Sequence, residues 1–342
     1  MKSKNLRATG LLMLVLTLSA VLPGTAAAQP FGGWLELGGT DGYIEVPANA
    51  VLNPTTGFTF EAWLKVNTDG GCDSIAGKGW TQAWWIGVCG TTLRTYLRGS
   101  TVLFDSGTVL PGVWTHVAVT WDGANRRHYI NGLLTGTLAQ PLPPTTSTSV
   151  FRIGSDVSWS PIPTGSIDEV NLWNVARTQA QIQEDLAGPI TGPVQGLLAV
   201  WSFNGNARDG VAVYNGSVQG TDATFGAPAP PAGGWLTTGQ LPGFRFKVRI
   251  GGAITGVQES DCVGETLCVS GAVPGRSEVF VRIVGPRPNG FLWPNVVKFT
   301  TSQVEVWIEQ LGTGEVKYYP LAGPWPGLDD LQGLYDRTGF VP

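Results

Sequence analysis

The chain has 342 residues, with 21 Lys and Arg against 25 Asp and Glu, and only 13% of it is charged. That balance argues against a nucleic-acid or anionic-membrane partner, since both require clustered positive charge. Low charge combined with 48 Gly, 24 Pro and 14 Trp predicts a short-turned, all-β extracellular protein rather than a disordered one.

Residues 1–28 read as a secretion signal. Lys2, Lys4 and Arg7 form a basic start, 11–22 an apolar core, and Ala26, Ala27 and Ala28 a small-residue cleavage site. The apolar core is too short to span a bilayer, which needs roughly twenty residues, and no later stretch is long enough. The expected address is therefore secreted, extracellular or cell envelope, with no membrane span; an uncleaved anchor is the alternative. Without those 28 residues the chain keeps 18 Lys and Arg against 25 Asp and Glu.

Alternating or β-rich segments then follow at 34–37, 43–46, 58–66, 114–121 and 128–130, separated by Gly, Asp, Asn and Pro. Many short strands with such punctuation predict a jelly roll or β-sandwich. Asn131-Gly132 is a tight-hairpin signal, because both residues tolerate positive φ. In 165–186 the period changes. Ile167, Val170, Leu172 and Val175 give a strand carrying Asp168 and Glu169 at its start. Thr178 can cap a short helix whose Ile182 and Leu186 form one apolar stripe. The segment 198–209 (Leu-Ala-Val-Trp-Ser-Phe-Asn-Gly-Asn-Ala-Arg-Asp) reads as a further closing strand, or else as the vestige of a second repeat.

These segments carry a resemblance. Leu-Glu-Leu-Gly-Gly-Thr-Asp-Gly-Tyr-Ile-Glu-Val-Pro at 35–47 comes first, followed by Phe-Thr-Phe-Glu-Ala-Trp-Leu-Lys at 58–65. Trp-Thr-His-Val-Ala-Val-Thr-Trp-Asp-Gly at 114–123 and Tyr-Ile-Asn-Gly at 129–132 lead to Ile-Asp-Glu-Val at 167–170. In this order they are similar to the laminin-G-like, concanavalin A-type jelly rolls of secreted proteins. The resemblance spans about 33–190 and implies that fold for 29–225. The run 226–234 (Gly-Ala-Pro-Ala-Pro-Pro-Ala-Gly-Gly) reads as a Pro/Gly linker. Residues 235–342, with alternation at 244–250, 278–284 and 304–309, read as a smaller antiparallel β-sandwich of accessory character.

Chemistry is sparse. Retaining glucanases of the same fold carry alternate carboxylates on one strand, and the reaction needs two carboxyls about 5 Å apart. Adjacent Asp168 and Glu169 would point to opposite faces of a regular strand. Glu259-Ser-Asp261 lies in the other domain and ends at Cys262. His116 and His128, the only histidines, read as structural. No nucleophile elbow, metalloprotease, P-loop or dinucleotide motif is present. The expectation is a non-enzyme.

Four cysteines in two local pairs predict disulfides Cys72–Cys89 and Cys262–Cys268 in an oxidising compartment. Calcium is the cation expected, in a structural role, if Asp41 and Asp168 approach each other on neighbouring strands; the resemblance implies such an ion only loosely. Otherwise Asp41 makes a turn and Asp168 bonds backbone. Trp80, Trp84 and Trp159 lie in or beside Gly-, Pro- and Ser-rich segments, where exposed rings can stack on sugars; packing is the alternative for each. Adjacent Trp84 and Trp85 cannot both face inward. Together these features predict a secreted binding or adhesion protein recognising a glycan or an extracellular protein. An extracellular polysaccharide hydrolase or lyase, or a purely structural envelope protein, are the alternatives.

Overall fold

The computed structural model describes residues 32–67, 70–158, 163–186, 189–190, 194–211, 213–230, 235–237, 241–251, 253–255, 266–270, 277–284, 293–298, 304–314, 316–321 and 333–335. Residues 1–28, which read as a secretion signal, lie outside them. Among the described residues no helix is long and apolar enough to cross a membrane.

Fifteen strands build a first sandwich: β1 (Trp34–Gly38), β2 (Tyr43–Val46), β3 (Phe58–Asn67), β4 (Cys72–Gly77), β5 (Trp85–Cys89), β6 (Thr92–Tyr96), β7 (Leu103–Thr108), β8 (Thr115–Trp121), β9 (Asn125–Ile130), β10 (Leu133–Ala139), β11 (Phe151–Ile153), β12 (Thr164–Trp173), β13 (Leu197–Trp201), β14 (Ser217–Gln219) and β15 (Ala223–Gly226). One sheet has the order β10-β9-β8-β3-β12-β1-β15, with β13 also on β12. The other has the order β14-β2-β11-β4-β5-β6-β7. All pairings are antiparallel, and alternation sends one side of each strand into a shared core. Phe58, Phe60, Ala62, Leu64 and Val66 of β3 meet Ile75, Ile86, Val88 and Leu93 of the opposite sheet there.

The expected hairpin forms at Asn131 and Gly132, whose φ values are +49° and +72°. The expected closing strand also forms. β1 pairs with the first part of β12 and β13 with its last part, so they share one flank of it. A helix α1 (Gln179–Asp185) of about two turns follows β12, with Thr178 and Gln181 making a reciprocal capping box. Its Ile182 is buried against Ala118 and Tyr129, outside the main core. Val175 differs from expectation: β12 ends at Trp173, and Val175 is left exposed.

A second, smaller sandwich contains β16 (Leu236–Thr237), β17 (Phe244–Ile250), β18 (Ala253–Thr255), β19 (Thr266–Ser270), β20 (Ser277–Val284), β21 (Trp293–Lys298), β22 (Val304–Gln310), β23 (Val316–Leu321) and β24 (Gly333–Tyr335). Its sheets, β16-β17-β22-β23 with β18 on β17, and β19-β20-β21-β24, enclose a separate core. Val304, Val306 and Ile308 face that core as the alternation predicts. The other side of β22 is less exposed than its pattern suggests. Trp307 is buried, donating its indole N–H to the Pro228 carbonyl, while Glu305 and Glu309 pair with Arg249 and Arg245 directly opposite on β17.

Candidate functional site: an aromatic hollow on the outer face of the β4–β7 sheet

Strand alternation sorts the side chains of β5 and β6. Ile86, Val88 and Leu93 point into the core, while Trp85, Arg94 and Tyr96 point outward. Trp85 lies across Gly87, the next outward position, where any Cβ would collide with its ring. Its indole N–H donates to Ser74 Oγ at 2.8 Å. Cys72 and Cys89 are direct cross-strand partners on β4 and β5 and are joined by a disulfide, as expected.

The turn after β4 brings in one more ring. Asp156 is fully buried, and its carboxylate accepts from the backbone N–H groups of Gly79 (2.7 Å), Trp80 (3.0 Å) and Ser158 (2.8 Å). Gly77 is required beside it, because a Cβ there would strike the carboxylate. Buried Lys78 donates to the Ser149 carbonyl, and burial lowers its ammonium to about 8. The turn is thus pinned from inside, and Trp80 stands over the outer face, half-buried.

Cys72, Trp80, Trp85, Arg94 and Tyr96 line a hollow of about 250 Å³. This is slightly below the roughly 300–1,000 Å³ of drug-sized clefts and suits a small or partly exposed ligand. Trp80 and Tyr96 meet edge to face, with centroids 5.9 Å apart and planes at 77°. Trp85 also packs on Tyr96, with ring centroids 6.0 Å apart. Arg94 grips Asp105 of β7 with two hydrogen bonds, Nε to Oδ1 at 2.7 Å and Nη2 to Oδ2 at 2.6 Å. Its Nη1 also reaches Cys72 Sγ at 3.7 Å.

Residues 38–183 match the family model of the concanavalin A-like lectin/glucanase superfamily, laminin-G type. The first sandwich is a laminin-G-like domain. A solved Bacteroides ovatus structure assigned to carbohydrate binding is similar over 59% of this chain and 62% of its own, with 20% identity and a TM-score of 0.51. The Ruminococcus gnavus IT-sialidase CBM40 bound to α2,3-sialyllactose is similar over 47% of this chain and 98% of its own, with 16% identity and a TM-score of 0.38. Mouse pappalysin-1 is 35% identical over 82 residues, 22% of this chain and 5% of that protein. The match therefore spans only a small part of that curated relative.

Within the laminin-G-like domain the three expected ligand-binding tryptophans separate. Trp80 lines the hollow. Trp84 does not: it is fully buried in the core against Phe58, Phe60 and Phe151, because alternation turns it away from Trp85. Trp159 lies outside the described residues, as do Cys262 and Glu259-Ser-Asp261. Cys268 is disulfide-bonded. Tyr96, Arg94 and Asp105 were not singled out from sequence, although the alternation Thr92-Leu-Arg-Thr-Tyr places Arg94 and Tyr96 on one face.

The expected calcium pair is not brought together. Asp41 sits in an exposed loop, where its carboxylate accepts from the Thr221 N–H and hydroxyl, while Asp222 caps the N–H groups of Thr40 and Asp41 in return. Asp168 lies mid-strand opposite Trp63, four residues beyond the Thr164 that pairs with Gly38. At about 3.3 Å per residue that is roughly 13 Å along β12. Among the described residues no three His, Cys, Asp or Glu side chains gather as an ion site. Asp41 makes a loop cap.

Asp168 and Glu169 also depart from strict alternation. The β12–β3 register shifts between Asp168 and Asn171, and Glu169 adopts φ +47°. This bulge buries both carboxyls. Burial raises the Glu169 carboxyl to about 8 despite a hydrogen bond from Ser202 Oγ. Burial, then the neighbouring Glu169 charge, raises Asp168 well above the usual range. Glu61, 3.5 Å from His116 Nε2, is raised by burial as well.

Proposed function

We propose that the chain is an extracellular, non-catalytic binding protein whose laminin-G-like domain holds carbohydrate in the hollow lined by Trp80 and Tyr96. The carrying observation is the pair of half-buried rings set edge to face beside the exposed Arg94–Asp105 pair. Aromatic rings cover the C–H faces of sugars, and a few placed polar groups then fix orientation. The Bacteroides ovatus protein of like fold, assigned to carbohydrate binding, agrees with this reading.

A hydrolase or lyase has less support. Glycoside hydrolysis needs two carboxyls reaching the substrate from either side of a cleft. The buried carboxyls of this sheet, Glu61, Asp168 and Glu169, are 0–4% exposed. An extracellular protein ligand is the other outcome to be tested.

Titration calorimetry of the purified chain against an oligosaccharide panel tests the proposal. Saturable binding without turnover is expected, lost in Trp80→Ala and Tyr96→Ala variants that still melt cooperatively. Saccharide cleavage, or binding indifferent to both substitutions, would overturn it.

A further inference from the structure

We infer that the hollow selects neutral saccharides presenting adjacent hydroxyls and discriminates against acidic ones. This deepens the carbohydrate reading above and rests on it. Arg94 is the only charged residue lining the hollow among the described residues. A lone guanidinium beside aromatic rings would suit a carboxylate or sulfate, but this one is already neutralised. Nε and Nη2 are committed to the two oxygens of Asp105, and Nη1 reaches Cys72 Sγ. A bidentate guanidinium–carboxylate pair is among the stronger side-chain hydrogen-bonded contacts.

An acidic sugar would either displace Asp105 from Arg94 or approach the remaining N–H groups beside the Asp105 carboxylate, and in both cases two like charges would face each other. Unpaired or like charges at a binding surface reject a ligand as effectively as missing contacts do. A neutral sugar meets no such obstacle. A guanidinium has five N–H groups, and three here are occupied, so two remain. Each Asp105 oxygen has accepted one hydrogen bond from Arg94 and retains lone-pair capacity. A donor and an acceptor side by side match two neighbouring hydroxyls, each of which can donate and accept. The side chains of Arg94 and Asp105 are 29% and 35% exposed, so a ligand resting on Trp80 and Tyr96 can reach them.

The decisive experiment compares neutral hexose and pentose oligosaccharides with uronic-acid and sialic-acid-terminated ones by calorimetry, using the chain and its Asp105→Asn variant. The neutral panel should bind at least about tenfold more tightly. Its affinity should hold between about 0.05 and 0.5 M salt, because no net charge is neutralised. Asp105→Asn frees the guanidinium charge and should narrow the neutral-to-acidic ratio, with a melting curve close to the parent's. Should that variant not fold, Arg94→Gln should weaken neutral binding without creating acidic binding. Preference of the parent for acidic sugars, or a ratio unmoved by Asp105→Asn, would overturn this inference while leaving carbohydrate binding intact. Binding to neither panel would overturn the carbohydrate reading and this inference with it.

Discussion

On the outer face of the β4–β7 sheet, Arg94 and Asp105 pair in the open, about a third exposed, beside rings with room around them. On the outer face of the opposite sheet, Asp168 and Glu169 are buried. Both Asp168 oxygens and Glu169 Oε1 lack a hydrogen-bond partner among the described residues. The contrast separates recognition from architecture. An exposed, mutually neutralised pair can offer its spare N–H groups and lone pairs to a ligand without being broken. Buried carboxyls without donors are instead a stability liability, relieved by keeping their protons.

Four perturbations sharpen or break that contrast. Replacing Cys72 and Cys89 by Ser opens the 17-residue separation closed by the disulfide and should cost about 2–4 kcal/mol in urea unfolding. A smaller loss would mean that β4 and β5 hold the binding face without it. Asp156→Ala leaves three backbone donors without their acceptor and should cost about 1–3 kcal/mol. It should also weaken saccharide binding by freeing Trp80; calorimetry showing parental affinity would remove Asp156 as the positioning residue.

The third perturbation concerns pH. Glu169 titrates near 8 in the folded chain against an ordinary value of 4.5, so the folded state keeps a proton that the unfolded chain has released. Its contribution to stability is therefore present below about pH 4.5 and is lost as pH rises toward and through about 8. Glu169→Gln should melt within a few degrees of the parent at acidic pH and progressively higher than it toward pH 8. The advantage should keep growing from about pH 4.5 up to about pH 8. Parallel melting profiles would show that the buried face does not hold this proton. The smallest effect should come from Trp80→Ala, which we expect to leave stability within about 0.5 kcal/mol, measured by thermal melting. A large loss would make Trp80 a packing residue and unite the two faces in one structural role.

Much of this was legible in the chain. Ile167 and Val170 both face the core although three residues apart, a spacing that already contains the extra residue of the β12 bulge. Regular alternation predicted opposite faces for Asp168 and Glu169 and missed this, because a bulge changes the local period. Trp84 and Trp85 obeyed alternation, yet which of them faced inward depended on the partner sheet.

By itself the sequence determined β1–β3, β8, β9, β12 and β13, the hairpin at Asn131-Gly132, the capped helix and the Cys72–Cys89 bond. Each rests on local period, local backbone freedom or short separation. Only the tertiary structure decided the site. Trp80, Tyr96 and Asp105 come from a turn and two strands whose pairing sets their distances. Asp156 acts on Trp80 from 76 residues away. Asp41 and Asp168 likewise needed strand register to show that they stand apart. Side-chain period is a property of a single strand, whereas a binding hollow belongs to the register among several.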